Sequence, residues 1–327
     1  MVLNGRFSTW EEVLSGVPQG SVLGPLLFVI FINDMDAVVQ QINILRKFAD
    51  DTKLGKTVVT ETDRDELQEA LNQLCTWADT WGIQFNVAKC KVMHMGHKNP
   101  KHVYQMNGQE LEVTAEERDI GVMVADNLKP SAQCAKAART AQSVLGQLTR
   151  AFHYRDRHIF IRLYKQYVRP HLEFSTQAWA PWTEADKSCL EKIQQRAVRM
   201  VSGLAGKTYE ERSVELGLET LEERRHQADM AMVHKIMHCK GQLDHSCWFE
   251  KAVDGQRTTR NSADPLNLRV NHGRLEIKRN FFGVRVIESW NKIPSDLKSD
   301  TKNAVFRSKY KTLRALPMQP AAARVDL

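Results

Sequence analysis

The apolar positions of this chain change period along its length. Residues 42–48 and 52–59 flank Ala49-Asp50-Asp51, and their mixed apolar and polar pattern predicts a β-hairpin with the two carboxylates at its tip. Just upstream, residues 26–40 open on the run Leu26-Leu27-Phe28-Val29-Ile30-Phe31-Ile32, which predicts a buried helix. Over 63–81, Leu67, Leu71, Leu74, Ala78 and Trp81 keep to one face at helical spacing, with Thr62 as the expected cap. The stretches 83–95 and 102–125 return to alternation and predict short strands, the last ending at Ile120-Gly121-Val122-Met123-Val124. Residues 1–14 are strand-like around Asn4-Gly5, a hairpin-turn dipeptide.

From Pro130 onward the period is helical, and Pro130 suits a first turn. Three later helix starts carry a Thr-x-x-acid pattern: Thr183 to Asp186, Thr208 to Glu211 and Thr220 to Glu223. Leu190, Ile193, Ala197 and Met200 share one helix face. The polar stretch 241–275 reads as a linker or long loop. Residues 278–292 and 301–315 read as two basic helices, and the residues from Pro317 as a loose tail. Strand-rich and helix-rich regions in succession give an α+β fold class.

Charge sharpens that division. Residues 1–130 hold 12 Lys+Arg against 18 Asp+Glu, a net of −6, and residues 131–327 hold 34 against 21, a net of +13. An acidic module followed by a basic one suggests a polyanionic partner for the second, although many solvated Lys and Arg on helices give the same total. The stretch 131–180 has eight Lys+Arg against Asp156 and Glu173. Phe152, Tyr154, Phe160, Tyr164 and Tyr167 are interleaved with them. Arg139, Arg150, Arg155, Arg157, Arg162 and Lys165 are the candidate nucleic-acid contacts, with phosphates rather than base edges as their targets. The alternative is that the aromatics are core and the cations merely solvated.

The six cysteines form no C-x-x-C pair, which favours a reducing, intracellular compartment (nuclear or cytoplasmic) and argues against a cysteine zinc site. His234 and His238 stand four apart on a predicted helix near Cys239, His245 and Cys247, but a solvated helix end is preferred and no zinc is expected. The apolar run 26–32 is far short of the ~20 residues that span a bilayer, so no membrane partner is expected.

Adjacent carboxylates at a strand turn are what a two-metal phosphoryl-transfer site needs, since hard cations take oxygen ligands. Asp-Asp pairs are also ordinary solvated turn residues. The upstream loop changes that weighting. It reads Ser15-Gly16-Val17-Pro18-Gln19-Gly20-Ser21-Val22-Leu23-Gly24-Pro25-Leu26-Leu27-Phe28, followed by Ile32-Asn33-Asp34-Met35. The string resembles the reverse transcriptases of non-LTR (LINE-type) retrotransposons, in particular the chicken-repeat and jockey-like branch. Phe48-Ala49-Asp50-Asp51-Thr52-Lys53 is similar to that family's catalytic hairpin, and Phe85 to Met93 to its next palm motif. Asp119-Ile120-Gly121-Val122 resembles its primer-gripping strand pair. Tyr167 to Phe174, Trp179-Ala180-Pro181, Leu190 to Ala197 and Tyr209 to Arg212 resemble its thumb. Phe281 to Arg285 and Trp290 to Pro294 resemble its C-terminal region.

The resemblance implies a partial palm over 1–128, a helical thumb-like region over 129–240 and a basic C-terminal region over 241–327. It implies Asp50 and Asp51 as ligands of Mg²⁺, with Mn²⁺ as an alternative. Pro18, Gln19, Gly20 and Phe48 would line the nucleotide and template pocket. Lys89 would stand near the pyrophosphate as a general acid, or be a solvated turn lysine. The partners would be an RNA template, a DNA primer or hybrid, and dNTP.

The family's aromatic-Leu-Asp-x-x-Lys-Ala-Phe-Asp segment, with a third catalytic carboxylate upstream of the loop, has no counterpart in these 327 residues. The chain is therefore expected to be a C-terminal portion of a retrotransposon polymerase. Its acid pair would be insufficient alone, and the apolar 26–32 run would be under-covered. The other reading is a non-catalytic nucleic-acid-binding remnant.

Overall fold

The computed structural model describes residues 2–3, 5–7, 9, 20–39, 42–238, 244–252 and 264–315. Helix and strand are mixed, as an α+β class requires, in two compact units, 1–115 and 116–327.

The first unit opens on β1 (Val2–Leu3) and β2 (Arg6–Phe7), an antiparallel pair with Gly5 at φ 76° between them. Then come α1 (Gly24–Phe31), α2 (Met35–Val38), β3 (Ile44–Phe48), β4 (Asp51–Gly55) and the 20-residue α3 (Glu61–Thr80). Short strands β5 (Lys91–Val92), β6 (Gln105–Met106), β7 (Gln109–Glu110) and β8 (Glu112–Val113) complete it. The pair β5–β8 is parallel, in an otherwise antiparallel set of two-stranded pieces.

Helix α3 organises this unit. One side of it packs Ala70, Leu74, Trp77 and Ala78 against Ile32, Met35 and Val39. Another packs Cys75, Leu67 and Leu71 against Tyr104, Met106 and Leu111. Its cap is Thr60, not Thr62. Thr60 is extended, its hydroxyl accepts from the Asp63 amide, and Asp63 reaches back to the Thr60 amide, a reciprocal box that Thr62 lacks.

The expected buried helix over 26–40 is corrected in two ways. It is split at Ile32 into α1 and α2, and α1 is largely exposed. Leu26, Leu27, Val29 and Ile30 are 47–63% exposed, and Val22 is 94% exposed. The apolar run is thus poorly covered among the described residues.

The second unit begins with the hairpin of β9 (Glu116–Asp119) and β10 (Val122–Ala125). The two-residue turn places Ile120 at φ 43° and Gly121 at φ 87°. A side chain at Gly121 would meet the Phe174 ring at 3.2 Å. Ile120, a β-branched residue in the left-handed region, is a point of backbone strain.

Helices follow: α4 (Ser131–Ala151), α5 (Arg157–Leu163), α6 (Arg169–Glu173), α7 (Thr176–Trp179), α8 (Glu184–Arg199), α9 (Tyr209–Glu215) and α10 (Leu221–His238). All three Thr-x-x-acid caps form: the Thr183, Thr208 and Thr220 hydroxyls accept from the amides of Asp186, Glu211 and Glu223. A small-residue stripe on α4 (Cys134, Ala137, Ala138, Ala141) lets α8 approach with Leu190, Ile193 and Ala197. Between α5 and α6 the chain widens into a π-turn, Tyr164–Val168, two residues before Pro170, which lacks an amide donor.

The stretch 241–275, expected as a linker or long loop, is largely irregular in its described portions, as a loop would be, but it also contributes to a core. Phe249 and Leu268 are buried, and Leu268 exchanges two hydrogen bonds of 2.8 Å with the Asn291 side chain. The helix expected over 278–292 is broken into α11 (Glu276–Asn280), α12 (Phe282–Arg285) and α13 (Ile287–Asn291). Phe281 turns extended (ψ 140°) to stack its ring on Trp248, which interrupts the helix. Then come α14 (Ser295–Lys298) and α15 (Asn303–Ala315). The tail from Pro317 lies outside the described residues.

Candidate functional site

Cross-strand register decides what the 44–55 hairpin presents. Leu45 opposes Leu54 and Lys47 opposes Thr52 on one face, while Arg46 opposes Lys53 and Phe48 opposes Asp51 on the other. Leu45 and Leu54 pack onto the α3 core, so the second face looks outward. Lys47 pins the hairpin to the α1–α2 corner: its ammonium donates to the Ile32 carbonyl at 2.7 Å and pairs with Asp36 at 2.9 Å. Below this corner, the Trp77 indole donates to Asp34 at 3.1 Å.

Ala49 and Asp50 form the turn, with Ala49 at φ 52°. A left-handed backbone at an L-residue costs about 1–2 kcal/mol. Asp50, Asp51 and Phe48 are all exposed, Phe48 by 62%. Among the described residues neither Asp50 nor Asp51 uses its carboxylate in a hydrogen bond or ion pair. The donor set therefore fits Mg²⁺ or Mn²⁺ as part of a shell: adjacent oxygen ligands, free to turn to an ion. Among the described residues no group of three His, Cys, Asp or Glu is placed to hold a metal.

Of the other expected site residues, Pro18 and Gln19 lie outside the described residues. Gly20 is exposed at φ 78°, a conformation that Gly adopts without penalty. Lys89 ends a 3₁₀ turn (Val87–Lys89), exposed, with no hydrogen bond or ion pair to the acid pair.

The basic candidates divide. Arg139, Arg150 and Arg162 are exposed and carry no ion pair among the described residues. Arg155 is half-buried and donates to the Thr149 carbonyl at 3.2 Å, a structural role. Arg157 pairs with Glu215 at 3.6 Å. Lys165 is half-buried, and burial, with Arg169, Arg224 and Lys311 nearby, holds its ammonium below the usual range. Of the interleaved aromatics, Phe160 and Tyr164 are core, whereas Phe152, Tyr154 and Tyr167 are exposed. Sequence reasoning missed Arg224, Arg225, Arg307 and Lys311, which line one cavity of about 390 Å³. Their signal was an Arg-Arg pair on one helix and an i, i+4 basic pair on another.

His234 and His238 have duties other than metal binding. Their Nε2 atoms meet the backbone carbonyls of Asp300 and Lys298, each at 2.7 Å, so Nε2 carries the proton. In His234, Nδ1 then accepts from the Asn303 amide at 3.1 Å. Burial depresses the basicity of His234, with the Asp300 carbonyl opposing. The neutral ring is the native form, so the unfolded chain binds the extra proton. Stability is therefore whole above about pH 6.5 and falls as pH drops through the depressed native value. Urea midpoints measured downward from pH 7 should decline in wild type and less steeply in His234→Gln.

Residues 2–142 match the family described as Reverse transcriptase (RNA-dependent DNA polymerase). The chain is 22% identical over 214 residues to the RNA-directed DNA polymerase from mobile element jockey of Drosophila melanogaster, covering 62% of this chain and 23% of that protein. It is 26% identical over 222 residues to the probable RNA-directed DNA polymerase from transposon X-element of the same fly, covering 61% and 23%. The match thus spans about a quarter of each of these curated relatives. No solved structure matches the chain significantly. No helix among the described residues is long and apolar enough to cross a membrane. Residues 2–142 are thus similar to the reverse transcriptase family, and the curated relatives are RNA-directed DNA polymerases of the LINE-type, non-LTR elements jockey and X-element.

Proposed function

We propose that the chain forms part of an RNA-directed DNA polymerase of a non-LTR retrotransposon, with residues 1–128 as palm, 129–240 as thumb and 241–327 as a basic C-terminal region. The observation that carries this reading is the hairpin tip, where Asp50 and Asp51 stand side by side, exposed and uncommitted. Asp50 and Asp51 would hold divalent ions, which when bound activate a 3′-hydroxyl and stabilise the leaving pyrophosphate. Pro18, Gln19, Gly20 and Phe48 would face nucleotide and template, and Lys89 would donate a proton to the leaving group. Template and primer would lie along the exposed Arg139, Arg150 and Arg162.

Two carboxylates from one hairpin do not by themselves clamp both ions against a triphosphate. The 327 residues acting alone are accordingly proposed to lack steady DNA synthesis, which belongs to a longer parent protein. Primer extension on an RNA template with Mg²⁺ or Mn²⁺, wild type beside Asp50→Ala, tests this. Extension by wild type that is lost in the variant would mean that the site completes itself, for instance in a dimer, and would reject the proposed inactivity.

A second reading, a non-catalytic nucleic-acid-binding remnant, is favoured by the unpaired Arg139, Arg150 and Arg162. It requires salt-sensitive RNA binding that Asp50→Ala leaves unchanged.

A further inference from the structure

Among the described residues, one buried cation in the second unit has no counter-charge in contact. Arg225, on α10, is 5% exposed and makes no hydrogen bond or ion pair among the described residues. Its Nη1 is fully buried without a partner. Burial disfavours its charged form, and Glu191, Glu222, Glu173 and Asp229 offset this only through space. A buried guanidinium with no partner in contact remains costly, and an anion or acceptor in contact relieves that cost. Neighbouring Arg224 does not share this condition, since Glu173 accepts from it in a two-pronged pair and Glu219 stands at 3.7 Å.

Arg225 forms part of the wall of the 390 Å³ cavity between α6–α7, α10 and α15. That volume is in the range of small-ligand sites. Arg307 and Lys311, one turn apart on α15, line it as well. Arg307 is exposed and has no ion pair among the described residues. Among the described residues Lys311 pairs only with Glu219, at 3.3 Å, and that carboxylate is already shared with Arg224. The wall also offers neutral donors, the Thr176 and Ser308 hydroxyls. Lys165 and Arg169 stand close behind, and both have their charged forms disfavoured by burial and by Arg224. Glu173 and Glu219 leave these cations in excess, so the cavity has a net positive lining.

We infer that this cavity binds a phosphate group, gripped by the guanidinium groups of Arg225 and Arg307 with Lys311 as a third cation. Guanidinium forks match the paired oxygens of a phosphate, and a partly desolvated site strengthens such charge-assisted bonds. The phosphate could be a free phosphate compound or the terminal phosphate of a nucleic-acid strand, two sources of one chemistry. The inference rests on residues 116–327 and is independent of the hairpin carboxylates.

The test is calorimetric titration of the full chain with inorganic phosphate, against chloride at equal ionic strength. Saturable phosphate binding is expected, weakened about tenfold or more in Arg225→Met and in Arg307→Ala. Arg225→Met replaces an unpaired buried charge by an apolar side chain of similar length, which favours folding. Lys292→Ala, exposed and outside the cavity, should bind as wild type does. No saturable binding, unchanged binding in both arginine variants, or equal loss in Lys292→Ala would overturn the inference. Oligonucleotides with and without a 5′-phosphate then separate the sources. A preference for the phosphorylated strand that inorganic phosphate abolishes assigns a strand end, and equal binding of both assigns a free phosphate compound.

Discussion

Asp229→Ala is expected to lower the unfolding free energy by about 3–5 kcal/mol, because it leaves a partly buried arginine without its counter-charge. Asp229 is 7% exposed, and its two oxygens receive three hydrogen bonds from Arg285 at 3.1–3.2 Å. Arg285 also donates to the carbonyls of Asn280 and Gln177 and lies over the Phe282 ring. It is therefore fixed in place and cannot swing to water when Asp229 is lost. Burial pushes the Asp229 carboxyl up, and Arg285 only partly opposes this. Desolvation thus outweighs the attraction between the two groups, and the pair stabilises little net. The double variant Asp229→Leu with Arg285→Met should accordingly regain most of the loss. Urea unfolding of both variants decides this: a single variant within about 1 kcal/mol of wild type would mean that water reaches Arg285.

Trp290→Ala should cost a similar amount, about 3–5 kcal/mol. The Trp290 side chain is fully buried at the centre of the second core of the 116–327 unit, among Met230, Leu268, Val286 and Phe306. Its indole N–H donates to the Leu266 carbonyl at 2.8 Å, which holds the 264–268 segment against α13. Trp290→Phe separates the two contributions. It keeps most of the ring burial and strands one carbonyl, so about 1–3 kcal/mol should be lost. Equal losses in both variants would show that the hydrogen bond, not the cavity, dominates.

These two sites show where the sequence was readable. The hairpin, the helix faces and the three threonine caps depend on neighbours within a few residues, and the pattern of those neighbours predicted them. The second core depends on partners far apart. Leu268 and Asn291, or Lys298 with Asp264 and Asn267, share no period, and so 241–275 read as a linker or long loop. The cap at Thr60 was missed because Thr60 and Thr62 both precede acids, and only backbone geometry separates them. The place of the acid pair at the hairpin turn was legible because both residues are consecutive and flanked by the strand pattern. The cavity around Arg225 was not, because its cations come from separate helices with no common spacing.

The strand pairs of the 1–115 unit have a dynamic consequence. The acid pair sits on a hairpin that, among the described residues, has no third strand on either edge. Such two-stranded ribbons are marginally stable in water. Amides of β3 and β4 should therefore exchange with deuterated solvent orders of magnitude faster than those of α4 and α8. The distance between the Asp50 and Asp51 oxygens would then fluctuate with each opening. An ion held there would bind with its intrinsic strength reduced by the fraction of time the ribbon is closed. A neighbouring strand that added to either edge would raise ion affinity without contributing a ligand.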